Sequence, residues 1–300
     1  MRIEEWVRQS VQKLDGSETP RLDAELLLAK ALGADRLHLM MYPKQEIGEA
    51  ALRQAEEWLL RRAEGCPVQY LLGEREFMGL NFFVEEGVLI PRPDTEILVE
   101  GVLSRLKDPS LFKDPEETAL FGLEIGCGSG VISLSLLSFC KDLRMEAVDI
   151  NPKALELTCR NARRLGLAER ICLYASDLFS ELGEKKYDFI VSNPPYIRTE
   201  LIETLQREVR DYEPRTALDG GEDGLFFYRT IAEKGKDHLK EGGFLALEIG
   251  HDQGEELESL LKEQGYSQLR IEKDLAGRDR TVQAVLISYD SCSSRKDDSR

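Results

Sequence analysis

The 300-residue sequence lacks an apolar run long enough to cross a bilayer, because its longest, about Val131 to Cys140, is short and interrupted by serines. Its first ten residues mix acids with arginines and do not resemble a signal peptide. Six cysteines are scattered without a Cys-x-x-Cys pair, which indicates reduced thiols, and three histidines are too widely spaced for a zinc site. We therefore expect a cytoplasmic protein without a membrane partner or a metal.

The sequence has fewer basic than acidic residues, with 40 Lys and Arg against 56 Asp and Glu, which gives a net charge of -16. Proteins whose main partner is duplex DNA or bulk RNA usually carry a basic face, because neutralising phosphates dominates that affinity. The acidic balance lowers the expectation of direct nucleic-acid binding. It favours a small molecule or a basic protein as the partner.

Length and patterning predict two domains. Apolar residues at 3- and 4-residue steps in the first seventy residues predict a small helical bundle. Two short β-prone segments split at Gly79 predict a hairpin after it. The predicted boundaries are 1–73 for the helical bundle, 74–88 for the hairpin linker, 89–290 for the larger domain and 291–300 for a polar, disordered tail.

From about residue 119, strands alternate with helices. This alternation predicts an α/β fold with a mostly parallel, doubly wound sheet, and the last two strands predict an antiparallel ending. The seven predicted strands are Ala119 to Ile125, Arg144 to Asp149, Ile171 to Ala175, Tyr187 to Ser192, Gly243 to Ile249, Gln268 to Ile271 and Val282 to Ile287.

A glycine-rich loop, Gly126-Cys127-Gly128-Ser129-Gly130, joins the first of these strands to a helix. Glycines let the backbone turn sharply and approach a ligand closely, and the helix N-terminus contributes free N–H groups. The next strand ends at Asp149, 19 residues after Gly130, where a carboxylate can accept both ribose hydroxyls of an adenosine. The combination predicts nucleotide binding, with a turn residue as the alternative role of Asp149.

The loop departs from the dinucleotide fingerprint, because Ser133 occupies the position of its third glycine. Glu124 with the glycines instead resembles the first motif of S-adenosylmethionine-dependent methyltransferases, although many members have Asp there. The resemblance implies that Glu124 lies near the amino-acid end of the cofactor, that Asp177 accepts from the adenine amine and that Leu178 packs on the ring. A cap of the adjoining loop remains the alternative for Glu124, and a solvated helix cap for Asp177.

The turn Asn193-Pro194-Pro195-Tyr196 follows the fourth predicted strand, at the end where open α/β sheets bind ligands. The two prolines remove N–H donors and stiffen the turn, so its carbonyl oxygens can act as fixed acceptors. The Asn193 side-chain oxygen and the Pro194 carbonyl can accept both hydrogens of a planar amino or amide nitrogen, and Tyr196 can pack on that group. We predict methyl transfer to such a nitrogen, driven mainly by positioning.

Asn193, Pro194 and Tyr196 are thus the predicted catalytic residues, and with Pro195 they form the predicted substrate site. Asn193 is also expected to line the cofactor. A merely rigid turn is the alternative, since Asn and Pro are common turn residues.

Asn-Pro-Pro-Tyr occurs in adenine-N6 DNA methyltransferases and in protein glutamine methyltransferases, and other segments separate the two. Over about residues 2 to 289 the chain resembles the release-factor glutamine methyltransferases. The segments that carry this resemblance are Arg21 to Leu28, Gly73 to Leu80, Ile90 to Glu96, Glu213 to Arg215, Ala217 to Leu225, Leu247 to Gly250 and Gly277 to Arg280.

The resemblance implies a Rossmann-like class I methyltransferase domain, preceded by a small helical domain that contacts the protein substrate. It implies S-adenosylmethionine as the methyl donor. The implied acceptor is the side-chain amide nitrogen of the glutamine in the Gly-Gly-Gln motif of class 1 peptide-chain release factors, and we expect a monomer. A ribosomal-protein glutamine methyltransferase, an adenine-N6 methyltransferase and a non-enzymatic cofactor-binding scaffold remain the alternatives.

Overall fold

A computed structural model describes residues 1–107 and 119–286. These residues form two compact units. The first comprises Met1–Arg75, Phe83–Ile90 and Glu203–Pro214, and the second contains the remaining described residues. The segment Glu203–Pro214 lies far along the chain, and its membership of the first unit was not predicted from the sequence. The predicted tail, 291–300, lies outside the described residues.

The helices of the described residues begin and end as follows. They are α1 (Ile3–Lys13), α2 (Pro20–Leu32), α3 (Arg36–Met41), α4 (Glu49–Ala63), α5 (Val68–Leu72), α6 (Thr95–Leu106), α7 (Val131–Phe139), α8 (Pro152–Arg164), α9 (Arg207–Tyr212), α10 (Phe226–His238) and α11 (Gly254–Glu263). None of these described helices has both the length and the apolar character needed to cross a membrane.

The strands of the described residues form a hairpin and one larger sheet. They are β1 (Glu74–Phe77), β2 (Leu80–Phe83), β3 (Leu120–Ile125), β4 (Leu143–Asp149), β5 (Ile171–Ala175), β6 (Tyr187–Ser192), β7 (Leu239–Glu248), β8 (Tyr266–Lys273) and β9 (Asp279–Leu286). The hairpin β1–β2 turns through Met78 and Gly79, both with positive φ, which is the turn geometry that suits two antiparallel strands.

The first unit is a helical bundle with an apolar core and a buried ion pair. Trp6 of α1, Leu28 of α2 and Leu59 of α4 share one apolar cluster. Arg62 of α4 places its Nε 2.6 Å from the Asp23 carboxylate, and both side chains are buried. The Arg62 guanidinium also lies 2.8 Å from Glu208 of α9, so one arginine links α2, α4 and α9 within this unit.

The second unit contains the larger sheet, with strand order β5-β4-β3-β6-β7-β9-β8. Strands β3 to β7 run parallel, and β9 runs antiparallel to both β7 and β8. The central strand β6 is buried along its whole length, with Val191 in one apolar cluster and Ile190 in the other. The structure therefore confirms the predicted α/β fold, with a mostly parallel seven-stranded sheet and an antiparallel ending.

Candidate active site

The glycine-rich loop connects β3 to α7 and uses the left-handed backbone region three times. Gly126, Gly128 and Gly130 have φ of 74°, 55° and 81°, which side-chain-bearing residues rarely adopt. A Cβ at Gly130 would lie 2.7 Å from Thr158, whereas a Cβ at Gly126 would meet no atom within 4 Å. Gly130 is thus required for packing, and Gly126 borders open space that a ligand can enter.

Two side chains of helix α8 bind backbone carbonyls of this loop. The Thr158 hydroxyl donates to the Gly128 carbonyl at 3.0 Å, and the Asn161 side-chain amide donates to the Ser129 carbonyl at 2.8 Å. Cys127 is buried with its Sγ 3.6 Å from the Thr158 hydroxyl oxygen, and burial raises the pKa of its thiol well above the ordinary value. The thiol is therefore protonated at neutral pH, and what the loop offers a ligand is its backbone.

Asp149 ends β4 beside the loop. Its carboxylate accepts from the Gly128 N–H at 2.9 Å and from the Asn151 N–H at 2.8 Å. Burial raises the pKa of Asp149, and these N–H groups offset part of the increase by stabilising the charged form. The structure thus brings two predicted cofactor residues, Gly128 and Asp149, into direct contact.

Glu124 lies in β3 with a fully buried side chain. Its Oε2 accepts from the Ser133 N–H at 3.0 Å and from the Ser133 hydroxyl, so the carboxylate holds the first turn of α7. Its Oε1 has no hydrogen-bond partner among the described residues. Burial raises the pKa of Glu124 to about 8. The structure places Glu124 beneath the loop, and its contact with a cofactor stays a prediction.

Asp177 and Leu178 follow β5 at the same edge of the sheet. Leu178 has a φ of 52°, which is uncommon for a leucine, and its carbonyl accepts from the Ser176 hydroxyl at 2.9 Å. Its half-buried side chain packs on the apolar cluster that contains Ile125 and Val148. Asp177 is exposed. A strained backbone that neighbouring groups hold in place is typical of a functional position.

Neighbouring strands bring the predicted catalytic turn next to the glycine-rich loop. Ser192 of β6 is paired with Ile125 of β3, and its hydroxyl donates to the Ile125 carbonyl at 2.7 Å. Asn193 and Gly126 are the next residues of the two strands. The predicted catalytic turn and the glycine-rich loop therefore leave adjacent parallel strands at one edge, where open α/β sheets bind their ligands.

The asparagine of the turn is oriented by a residue that sequence reasoning missed. Asn193 Nδ2 lies 3.3 Å from the hydroxyl oxygen of Thr95, the first residue of α6. This bond uses an N–H of the Asn193 amide and leaves its carbonyl oxygen for another donor. Pro194 is buried, while Asn193 and Pro195 are half-buried.

Tyr196 forms hydrogen bonds through both its side-chain hydroxyl and its backbone carbonyl. Its hydroxyl lies 3.3 Å from the Glu248 carboxylate, and burial, followed by the charge of Glu248, raises the pKa of Tyr196 far above neutrality. Its carbonyl accepts from the side-chain amide of Gln253 at 3.2 Å, and the same amide donates to the Gly224 carbonyl at 3.3 Å. Gln253 Oε1 accepts from the Gly250 N–H at 2.8 Å, so this buried glutamine fixes three backbone segments.

The segment after α9 packs behind the turn. Gly220 N–H donates to the Ile197 carbonyl at 2.8 Å, and Ile197 N–H donates to the Leu218 carbonyl at 3.0 Å. A Cβ at Gly220 would lie 2.7 Å from the Cα of Tyr196, and a Cβ at Gly224 would lie 2.5 Å from the Tyr196 carbonyl oxygen. These glycines are therefore needed for close backbone approach.

Comparisons with known proteins identify what the chain is similar to. The family model "PrmC N-terminal domain" matches residues 5–73, and the model "Methyltransferase small domain" matches residues 111–209. The release factor glutamine methyltransferase of Moorella thermoacetica is 43% identical over 283 residues, covering 93% of this chain and 97% of the relative. That of Clostridium acetobutylicum is 41% identical over 279 residues, covering 92% and 95%.

A solved structure resembles the chain in fold. It is the T. thermophilus 16S rRNA N2 G1207 methyltransferase in complex with AdoMet and guanosine, with 18% sequence identity and a TM-score of 0.50. The similarity covers 71% of this chain and 49% of that one. At this identity the likeness concerns the fold alone.

Proposed function

We infer the reaction from one premise: the chain belongs to the release factor glutamine methyltransferase family, as its similarity to the relatives over almost its whole length requires. It is a methyltransferase. We propose that it transfers the methyl group of S-adenosylmethionine to the side-chain amide nitrogen of the glutamine in the Gly-Gly-Gln motif of class 1 release factors. The acidic net charge of -16 supports a protein acceptor over a nucleobase.

The cofactor is proposed to bind along the edge formed by the ends of β3, β4 and β5. The backbone from Gly126 to Gly130 borders the open space found at Gly126, which fits a ligand lying against the loop. Asp149 lies one strand away, and Glu124 Oε1, for which the described part of the chain offers no hydrogen-bond partner, provides a further polar atom beneath the loop. Leu178 would supply an apolar contact with the adenine, and Asp177 an acceptor for its amine. The sulfonium supplies an activated methyl group when it is bound.

The observation that carries the proposed geometry of the acceptor site is the bond between Asn193 and Thr95, because it indicates which end of the Asn193 amide is available. With an N–H engaged by Thr95, Asn193 Oδ1 can accept one hydrogen of the glutamine amide. The Pro194 carbonyl can accept the other, and the ring of Tyr196 can pack on the planar group. An amide nitrogen is a poor nucleophile, so directing its lone pair and stabilising its growing positive charge are what the turn contributes.

Labelled S-adenosylmethionine tests the acceptor. We expect the purified protein to label an unmodified class 1 release factor and to leave unlabelled a variant in which Gly-Gly-Gln is changed to Gly-Gly-Ala. Ribosomes and DNA serve as further substrates in the same assay. Equal labelling of both release factors, or preferential labelling of ribosomes or DNA, would contradict the proposed acceptor.

A second prediction tests the proposed cofactor cradle. Gly126→Ala should weaken S-adenosylmethionine binding by about 10- to 100-fold, because the added methyl group enters the open space beside the loop. Gly277→Ala is the matched control, since Gly277 has a similar φ of 80° and also meets nothing within 4 Å. Calorimetric titration measures both affinities. Equal affinities in the two variants would show that no cofactor lies against Gly126.

A further inference from the structure

The segment Gly277 to Arg280 carries part of the family resemblance and has no part in the proposed reaction. It closes the turn between β8 and β9 and begins β9. The Asp274 carboxylate organises this turn, because it accepts from the Ala276 N–H and from the Arg278 N–H, both at 2.9 Å. The Asp274 side chain is only 13% exposed. The turn therefore has a fixed geometry, and it places Arg280 at a defined point of β9.

The Arg280 guanidinium joins two carboxylates. Its Nε lies 3.0 Å from Asp274 Oδ2, and its Nη2 lies 3.1 Å from Asp94 Oδ2. The Arg280 side chain is 17% exposed, and its backbone carbonyl accepts from the Ile249 N–H at 2.8 Å. A guanidinium is planar, and its donors point in fixed directions. Because Asp274 holds the Nε side of this plane, the Nη2 group is directed at Asp94 by the β8–β9 turn.

Asp94 is the N-cap residue of α6, and its carboxylate faces another element. An Asp at this position usually accepts from a backbone N–H of the first helical turn. In the described structure of α6, the Asp94 side chain makes no such bond. It pairs with Arg280 instead, and the Asp94 backbone carbonyl accepts from the Ile97 N–H at 3.2 Å. The pair therefore attaches the start of α6 to the β8–β9 turn.

Thr95 directly follows Asp94 and contacts the predicted catalytic turn. Its hydroxyl oxygen lies 3.3 Å from Asn193 Nδ2, and the Thr95 side chain is 2% exposed. N–H···O bonds usually measure about 2.7–3.2 Å between heavy atoms, so this bond is already long. A shift of α6 away from the turn by a few tenths of an ångström would break it. The orientation of the Asn193 amide therefore depends on where the first turn of α6 is held.

We propose that Arg280 is a positioning residue for the reaction, which holds Asp94 and thereby keeps Thr95 within hydrogen-bond distance of Asn193. Without the pair, α6 keeps its apolar contacts with the sheet, such as those of Leu98, but loses the tie between its first turn and the β8–β9 turn. The Asn193 amide then loses the partner that orients its Oδ1. The Arg280 contacts belong to the free enzyme, and their effect on turnover rests on the proposed function.

Asp94→Ala tests the pair with little risk to folding, because the Asp94 side chain is 44% exposed and Arg280 keeps its pair with Asp274. Exposed ion pairs contribute little to stability, so the free energy of unfolding should change little. We expect kcat on the release factor to be about tenfold lower, with cofactor affinity unchanged, because a small displacement at a reacting site lowers turnover. Glu258→Ala removes a similarly exposed carboxylate from a pair with Lys262 and is the matched control. Equal kcat in the two variants would overturn the proposal.

Double variants test whether the effect passes through Thr95. Thr95→Val should also lower kcat by about tenfold, since valine keeps the shape of the side chain and removes the hydroxyl. Adding Asp94→Ala to Thr95→Val should cost nothing further, because the contact through which Asp94 acts is already lost. Arg280→Gln should lower kcat as Asp94→Ala does, and Arg280→Lys should restore part of it because it keeps the charge without the planar fork. A double variant that loses the product of the single losses, about hundredfold, would contradict a route through Thr95.

Nuclear magnetic resonance of the free enzyme separates this proposal from the proposed function. The side-chain amide signal of Asn193, identified by its loss in Asn193→Ala, should shift in Asp94→Ala toward its position in Thr95→Val. Glu258→Ala should leave the signal unchanged. An unshifted signal in Asp94→Ala would refute the role of Arg280, whether or not the release factor is labelled. A wild-type enzyme that does not label the release factor would refute the proposed function, while the signal would still show what holds Thr95 in place.

Discussion

Replacing Asn193 with alanine is expected to lower kcat for release-factor methylation by about 10²- to 10³-fold, the usual loss when one preorganised polar partner of a transition state is removed. The structure gives the reason. Asn193 is held by Thr95 at the end of β6, so its Oδ1 is directed before the substrate arrives. Alanine removes this acceptor and leaves the rigid prolines in place. Cofactor affinity should change little, because the loop that starts at Gly126 is untouched.

Single-turnover kinetics and calorimetry measure the two quantities separately. Asn81→Ala, at an exposed position of β2, is the matched control for the same chemical change and should keep the wild-type kcat. If Asn193→Ala kept near-normal turnover, the turn would have no part in the mechanism. If cofactor affinity fell by the same factor as kcat, Asn193 would contribute mainly to binding the cofactor and not to orienting the substrate.

Gly224→Ala is expected to have the second largest effect, with about 2–4 kcal/mol lost from the free energy of unfolding and a kcat reduced by about 100-fold or more. Gly224 has a φ of 77°, and a Cβ there would lie 2.5 Å from the Tyr196 carbonyl oxygen and 2.8 Å from Gln253 Nε2. The methyl group must push Tyr196 or Gln253 aside. Because the Gln253 amide donates to the Tyr196 carbonyl, either movement should displace the predicted catalytic turn.

The control separates backbone strain from displacement. Gly277→Ala has a similar positive φ with open space around it, so it should cost only about 1–2 kcal/mol and leave kcat unchanged. Chemical denaturation gives the stabilities, and steady-state assays give kcat. Equal losses of stability in the two variants, with normal kcat in both, would show that the loop behind Tyr196 does not position the turn.

The sheet could be predicted because the sequence patterns that indicate its strands lie within short, contiguous segments. Strands alternating with helices from residue 119 predicted the parallel order and the antiparallel ending, and both are confirmed. The short helices α3 and α9 were missed, because six residues are too few for a clear apolar period. The grouping of α9 with the helical bundle includes an ion pair of Glu208 with Arg62, which is far away in sequence, and no local pattern shows such a pair.

The candidate site also has one part that the sequence predicted and one part that it did not. The loop at Gly126 and the turn at Asn193 could be identified because each is a contiguous motif next to a strand. Their supporting side chains could not, since Thr95 lies 98 positions before Asn193 and Gln253 lies 57 positions after Tyr196. Each of these is an ordinary polar residue until the fold buries it against the turn. The cofactor and substrate roles of the motifs themselves stay predictions that the variants above can decide.

The hydrogen bond from Ser192 to the Ile125 carbonyl bears on the precision of the reaction. The loop proposed to hold the methyl donor and the turn proposed to hold the acceptor follow two adjacent strands, so the register of these strands would set the spacing of donor and acceptor. A slip of one residue between β3 and β6 would move one relative to the other by about 3.3 Å and turn every side chain of the strand to the opposite face. That displacement is as large as the whole separation of two reacting atoms about to bond. The Ser192 hydroxyl adds a side-chain bond to the backbone pairing that sets this register, so a residue outside the predicted site would help to fix the spacing of the two reactants.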